Sequence, residues 1–470
     1  MVFSSIVFIF AFLPITLFLY YVAPEILKNP VLLLFSLIFY AWGEPVYVVL
    51  MIFSILFNYV MGLDIEERQR MGAATAKRSL IVTIIVDIGL LAFFKYYGFF
   101  VDNLNMILPF ELPSVNVELP VGISFYTFQT LSYVIDIYRK ETPAQHSLVA
   151  FGTYVTMFPQ LIAGPIVQYK DINEQLTDRK ISLVNAGTGA AQFVRGLTKK
   201  VVFANNIGAV FTAISSQSTD EISVLGAWLA CISYTFQIYF DFSGYSDMAV
   251  GLGKMLGFDF KINFDYPYIS RSITEFWRRW HISLGTWFRE YVYIPLGGSY
   301  VKPLKHIRNM FVVWLLTGFW HGAAWNFAFW GVYYGVLLTV EKYFLLNKLE
   351  RAPSWISRVY TMLIVMIGWV FFSSDSLGKA FSLIGIMFGV GSHPFADGQT
   401  VYYLVSNMIL LGIMALASGP LLHRALDRFI GSFEEKKSRL IAIIIYVVMF
   451  LICVAFLVND TYNPFLYFRF

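Results

Sequence analysis

Two of the six histidines sit where an imidazole could do chemistry. His321 lies in the nearly uncharged run FVVWLLTGFWHGAAWN, and His281 closes the basic, aromatic stretch Phe276-Trp277-Arg278-Arg279-Trp280-His281. A titratable group in an apolar run is costly unless it has a partner or a task. For His321 the task would be that of a general base with a pKa near working pH. The competing reading is a histidine hydrogen-bonded between helices. Gly318 and Gly322 would let another backbone or a substrate approach closely, and Trp320, Trp325 and Trp330 could wall a pocket. For His281, a continuous helix would place Trp277 and Gly285 one turn before and after it. That pattern fits an interfacial anchor, or a second polar wall that orients the substrate or the other imidazole.

Arg278 and Arg279 also have two readings. The positive-inside rule accounts for them without a ligand, and an anionic donor would equally want guanidinium groups at the mouth of its site. Further upstream, Gln237, Asp241 and Asp247 put two carboxylates into or beside an apolar span. Asp241 reads either as a structural partner of a basic residue or a tyrosine, or as a contact to substrate or imidazole. No phosphate-binding P-loop, nucleophile elbow, H-E-x-x-H helix or C-x-x-C pair occurs, and no resident metal is expected. A single displacement with a histidine base needs none of these.

The elements that must hold these residues are membrane helices. The chain has 470 residues, 58% hydrophobic and 14% charged, with mean hydropathy +0.64. Soluble domains carry about 25% charged residues. Repeated apolar runs of about 20 residues predict an all-α polytopic membrane protein in the lipid bilayer. Continuous rather than alternating runs argue against a β-barrel. The net charge of +4 is small, and no nucleic-acid partner is expected. Cys231 and Cys453 lie in apolar runs and read as small buried hydrophobes.

Candidate spans fall at 4–22, 31–43, 46–62, 80–100, 120–138, 201–217, 226–250, 359–373, 401–420 and 441–458, the first read as a retained span. No linker or repeat interrupts them, so residues 1–470 read as one membrane-embedded domain. Lys and Arg placement predicts that 64–79, 254–308, 344–358 and 421–440 face the cytoplasm, and 101–119, 212–227 and 391–400 the outside. Two segments break the pattern. Ser147–Gln168, interrupted by Pro159 and Gly164-Pro165, predicts a broken or re-entrant helix. Met310–Val340, flanked by inside-type charge at both ends, predicts a hairpin or re-entrant pair with His321 near its turning point.

With these stretches assembled, the chain resembles the membrane-bound O-acyltransferase family, in its alginate O-acetyltransferase branch. The resemblance runs through MVFSSIVFIFAFLPI, LPVGISFYTFQTLSYVIDIYR (119–139), FPQLIAGPIVQYKD (158–171), YFDFSGYSDMAVGLG (239–253), SITEFWRRWHISLGTWFREYVYIPLGG (272–298), FWHGAAWNF (319–327) and NPFLYFRF (463–470). It implies a bundle of about 10–12 transmembrane or re-entrant helices around a central funnel. It also implies that His321 is the catalytic histidine and His281 the second histidine of the branch.

By the same resemblance, acetyl-CoA is the acyl donor and no cofactor is permanently bound. The acceptor would be an exopolysaccharide or cell-wall polymer, reached together with a separate extracytoplasmic acetyltransferase, in a bacterial inner membrane. Teichoic-acid D-alanylation proteins share the pattern more loosely, and a polymer or lipid-intermediate transporter is the reading from another class. The expected division of labour makes His321 the base. Arg278, Arg279, Asp241, Asn326 and Trp320 are expected around the substrate. His281 is expected to position the donor or contact the oxyanion, and Asn326 is the other candidate for that contact.

Overall fold

A computed structural model describes residues 1–113, 115, 117–459 and 465–466; of the motif at 463–470, therefore, only Phe465 and Leu466 lie within the described residues. Among the described residues the secondary structure is helical and no strand occurs. Among the described residues, six helices are long and apolar enough to cross a bilayer: Glu25–Gly43, Val48–Met71, Ala74–Asn105, Ser354–Ser373, Gly398–Ala417 and Glu435–Asn459. Large apolar side chains stand exposed along them, such as Ile26 and Ile409, a distribution that suits lipid rather than water. The protein is an all-α, multi-pass membrane protein.

The chain divides into two compact units. The first comprises residues 1–193 and 248–261. A π-helical turn, Phe8–Phe12, leads into α1 (Leu13–Val22). α2 (Glu25–Gly43), α3 (Val48–Met71), α4 (Ala73–Asn105) and α5 (Ile123–Tyr138) follow. Phe3, Phe8, Phe12, Phe39 and Phe158 form an aromatic core with ring centroids from 5.0 to 6.5 Å apart. The buried carboxylate of Asp87 on α4 accepts from Asn58 Nδ2 of α3 (3.0 Å) and Thr130 Oγ1 of α5 (3.4 Å), which ties these three helices together. The segment 64–79, expected to face the cytoplasm, is helical except at Gly72, whose φ of 143° closes α3. Glu, Gln, Lys and Arg are good helix formers, so they extend both helices past their apolar parts.

The break expected in Ser147–Gln168 is present. α6 (Leu148–Thr156) ends at Met157, and the single turn α7 (Phe158–Leu161) follows it. The irregular backbone after it is buried. Here Gln160 Nε2 donates to the Tyr154 carbonyl (2.5 Å), and the Tyr154 hydroxyl donates to the Val167 carbonyl (3.0 Å). α8 (Tyr169–Thr177) and the first part of α9 (Leu183–Thr198) complete this unit's N-terminal run.

The second unit comprises residues 194–247 and 262–470. A π turn, Lys199–Ala204, joins the end of α9 to α10 (Asn205–Ser215). α11 runs from Val224 to Met255, its last turns belonging to the first unit. Two short helices follow, α12 (Ile273–Arg279) and α13 (Ile282–Phe288), and then a π turn, Arg289–Tyr293. α14 (Pro303–His321) and α15 (Trp325–Val340) form the helical hairpin expected for 310–340. After a π turn, Glu341–Leu345, come α16 (Leu346–Arg351), α17 (Ser354–Ser373), α18 (Leu377–Met387), α19 (Gly398–Ala417), α20 (Leu421–Gly431) and α21 (Glu435–Asn459).

Glycine makes the hairpin possible. A Cβ on Gly318 would run into the Phe327 carbonyl oxygen, and one on Gly331 into the Trp314 carbonyl oxygen. The two backbones therefore touch along α14 and α15, and this contact fixes where α14 ends and His321 sits. Gly318→Ala should force the helices apart and destabilise the protein by about 1–3 kcal/mol. Thermal unfolding of the detergent-solubilised variant checks it; unchanged melting would contradict the close packing.

Candidate active site

α12 is assembled by polar groups that come from well beyond its own seven residues. Ser272 caps it, accepting from Glu275 N (3.0 Å), and Glu275 in turn accepts from Arg271 N (2.8 Å). The fully buried carboxylate of Glu341 accepts from both Ile273 N (2.7 Å) and Thr274 N (2.8 Å). Two orphan donors of the helix start are thus met by a charge that the helix dipole also favours. At the other end, Arg279 pairs with Glu275 (2.9 Å) and Asp265 (2.8 Å).

The helix does not continue through His281 as spacing suggested. Trp280 is extended, and His281 adopts a left-handed conformation with φ 46° and ψ 53°, before α13 begins. Asn263 holds this turn. Its main-chain oxygen accepts from Ile282 N (3.0 Å). Its side-chain Oδ1 lies 3.1 Å from Ser283 N, 3.0 Å from Ser283 Oγ and 3.2 Å from His281 Nδ1. These long-range bonds outweigh local helix propensity and end α12 before His281. His281 is only 3% exposed, so it is a buried group and not an interfacial anchor. Burial holds its pKa well down, at about 3, which keeps the ring neutral.

His321 is the last residue of α14, and the extended Gly322 follows it. Its ring is enclosed edge-on by Trp320 (5.0 Å), Trp330 (5.3 Å) and Phe372 (5.0 Å). Trp320 also meets His281 (5.9 Å), and Phe242 of α11 packs on the far histidine at 4.7 Å.

Both imidazoles line one cavity of about 650 Å³, within the usual range of small-molecule sites, about 300–1,000 Å³. Trp277 and Trp314, themselves 4.7 Å apart, contribute its aromatic wall. Arg278 and Arg289, both exposed, supply positive charge at the same cavity. Thr274, Thr286 and Thr317 add hydroxyls. The arrangement can take a partly apolar, anionic molecule, with two imidazoles facing its reactive end.

The other residues that the sequence suggested fall elsewhere. Arg279 is occupied by its two carboxylates. Asp241 forms a buried ion pair with Lys200 and accepts from Leu466 N (2.8 Å); it does not line the cavity. Asn326 donates to the carbonyls of Ser374 (2.9 Å) and Phe371 (3.4 Å), which engages its amide in joining α15 to α17. Trp325 is exposed, whereas Trp330 is fully buried. Spacing did not point to Asn263, Glu341, Trp314 or Tyr293, the last of which also lines the cavity. Glu341 had a signal, as a carboxylate directly after the apolar run 325–340; Asn263 had none.

Comparison with known proteins gives the family of the chain. The model of MBOAT, the membrane-bound O-acyltransferase family, matches residues 114–377, which contain both histidines. The chain is 44% identical over 411 residues to a probable alginate O-acetylase AlgI of Pseudomonas aeruginosa, covering 84% of this chain and 76% of that protein. It is 39% identical over 495 residues to the corresponding protein of Pseudomonas putida, with both chains covered in full. It is also 36% identical over 425 residues to a peptidoglycan O-acetyltransferase of Helicobacter pylori, covering 83% of this chain and 80% of that one. The chain is an acyltransferase and belongs to the membrane-bound O-acyltransferase family, in its alginate O-acetylase-like branch.

Proposed function

We propose that this protein is a bacterial inner-membrane O-acetyltransferase. It takes acetyl groups from cytoplasmic acetyl-CoA and passes them to a hydroxyl of an exopolysaccharide or cell-wall polymer, or to an extracytoplasmic acetyltransferase that modifies the polymer. The observation that carries this reading is the single cavity shared by His281, His321, Arg278 and Arg289. The names of the relatives support a polysaccharide or peptidoglycan acceptor.

In the reaction, an acceptor hydroxyl attacks the thioester carbonyl. His321 removes the hydroxyl proton as the C–O bond forms. The tetrahedral intermediate then collapses, the C–S bond breaks, and His321 returns the proton to the departing sulfur. The phosphate-bearing end of the donor is met by Arg278 and Arg289, since guanidinium groups pair well with phosphate. Aromatic walls keep water from the thioester, which strengthens the electrostatic contacts and limits hydrolysis.

The test is to incubate the purified protein with labelled acetyl-CoA, with and without polymer. Acceptor-dependent release of CoA and transfer of label supports the proposal. Absence of thioester turnover with every acceptor tried, together with loss of polymer export on deletion, would support the transporter reading instead. For the donor subsite, Arg278→Ala should raise KM for acetyl-CoA about fivefold and change kcat less, because an exposed charge pair is worth only a small factor. Initial-rate kinetics check this; a fall confined to kcat would remove Arg278 from donor binding.

A further inference from the structure

We propose that Asn263 is a positioning residue for acyl transfer: its side-chain oxygen fixes His281, a residue of the cavity lining, as the Nδ1–H tautomer and so leaves the lone pair on Nε2. The proposal rests on the cavity being the acyl-transfer site.

Hydrogen-bond logic leads to this tautomer. A backbone amide can only donate, so the Asn263 atom 3.1 Å from Ser283 N is the oxygen. Rotating the amide by half a turn would set its NH2 against that N–H. The oxygen can only accept, so His281 Nδ1, 3.2 Å away, carries the hydrogen. A neutral imidazole has one N–H, and here it is spent on Asn263. Nε2 is left as an acceptor.

Two further observations fit a residue kept for its oxygen. Asn263 is 1% exposed, and its Nδ2 has no hydrogen-bond partner among the described residues. Orphan buried donors are disfavoured, so the amide is retained here despite one. An aspartate would supply the same oxygen without the orphan N–H. It would also put a negative charge beside the imidazole and favour its protonated form. Asparagine supplies the acceptor and leaves the ring neutral. The left-handed backbone at His281, uncommon for residues other than glycine, is held by the same residue.

The consequence alters the role first expected for His281. With its N–H engaged, neutral His281 cannot donate to an oxyanion. Its Nε2 can only accept, which suits it to orienting the attacking hydroxyl rather than to stabilising the charge that develops later.

The experiment compares Asn263→Asp and Asn263→Ala in acetyl-CoA turnover from about pH 4 to 9. Asn263→Asp keeps the acceptor oxygen, and its carboxylate should raise the imidazole pKa by about 1–3 units or more from its buried value. His281 can accept a hydrogen bond only while its ring is neutral, so kcat should fall on the acid side and recover as pH rises through the new pKa. The loss is about tenfold for each unit by which pH lies below that value. Asn263→Ala should lose kcat by a similar factor at every pH. KM for acetyl-CoA should stay within about twofold in both, since neither touches the arginines.

The charged and titratable groups on the elements packed around the ring remain as they are in both variants. Asp265, Glu275 and Arg279 are paired with one another, and Asp241 of α11 is paired with Lys200. Arg278, Arg289 and His321 line the cavity, Tyr239 and Tyr245 lie on α11, and α13 brings no titratable side chain. A wild-type pH profile for Asn263→Asp, or a loss equal to that of Asn263→Ala at every pH, would overturn the proposal.

A second measurement needs no variant of Asn263. Ring 15N shifts of wild-type protein, with His281 assigned by difference from His281→Gln, should show a protonated Nδ1 and a bare Nε2; the reverse assignment overturns the proposal. If the wild type turns over no acetyl-CoA while the ring shows Nδ1–H, the functional reading fails and the tautomer stands.

Discussion

Replacing His321 with alanine should lower acyl transfer by a factor on the order of 10²–10⁴, the usual contribution of a positioned general base. The side chain is 5% exposed and enclosed by Trp320, Trp330 and Phe372. Solvent therefore has little room to take its place as a proton acceptor. The substitution removes ring volume from an aromatic cluster, so insertion and folding must be checked beside activity. Donor binding should persist, because Arg278 and Arg289 lie on other elements of the same cavity. The measurement is turnover of labelled acetyl-CoA, together with donor binding and a melting curve. His281→Ala should weaken transfer and leave measurable turnover. The opposite pattern, with His321→Ala active and His281→Ala silent, would transfer the base to His281. The bare Nε2 argued for above would then make chemical sense of that result.

The second large effect is on stability. Asp241→Ala should destabilise the protein by about 3–5 kcal/mol, the range for removing one partner of a buried ion pair. Lys200 and Asp241 are 4% and 1% exposed, so deleting the carboxylate leaves an ammonium with little access to water. Lys200 sits on the π turn between α9 and α10, and Asp241 sits on α11, so the pair joins two parts of the second unit. Asp241 also accepts the Leu466 N–H, which helps keep Phe465 against Tyr245 (4.9 Å) and Phe242 (5.8 Å). Phe242 in turn packs on His281. Thermal unfolding of Asp241→Ala, Lys200→Met and the combined Asp241→Leu/Lys200→Met variant tests this. Each single change should be severe, and the combination should recover much of the loss, because it buries no unpaired charge. A double variant no better than the worse single one would contradict the ion-pair account.

The amino-acid sequence alone determined the parts that depend on neighbouring residues. Apolar runs of membrane length became helices: all ten candidate spans lie within or largely overlap helical segments. Proline and glycine marked the broken helix after Thr156. Inside-type charge on both flanks marked the α14–α15 hairpin. An imidazole in an uncharged run marked His321, and a histidine beside paired arginines marked His281. Both hold places in one cavity.

Tertiary structure decided what each polar group faces. The spacing of Trp277, His281 and Gly285 suited an unbroken helix. Asn263, 18 residues before His281, breaks it, because three donors converge on one buried oxygen. Glu341, 68 residues after Ile273, starts α12. Of the two adjacent arginines, Arg278 reaches the cavity and Arg279 is held by carboxylates. Asp241 and Asn326 carried the right chemistry for a site, and their hydrogen-bonding capacity is used in holding helices together. Periodicity reports which face of a helix is apolar. Which donor meets which acceptor is set by contacts between distant segments, and a buried polar group takes whichever partner the packing brings to it.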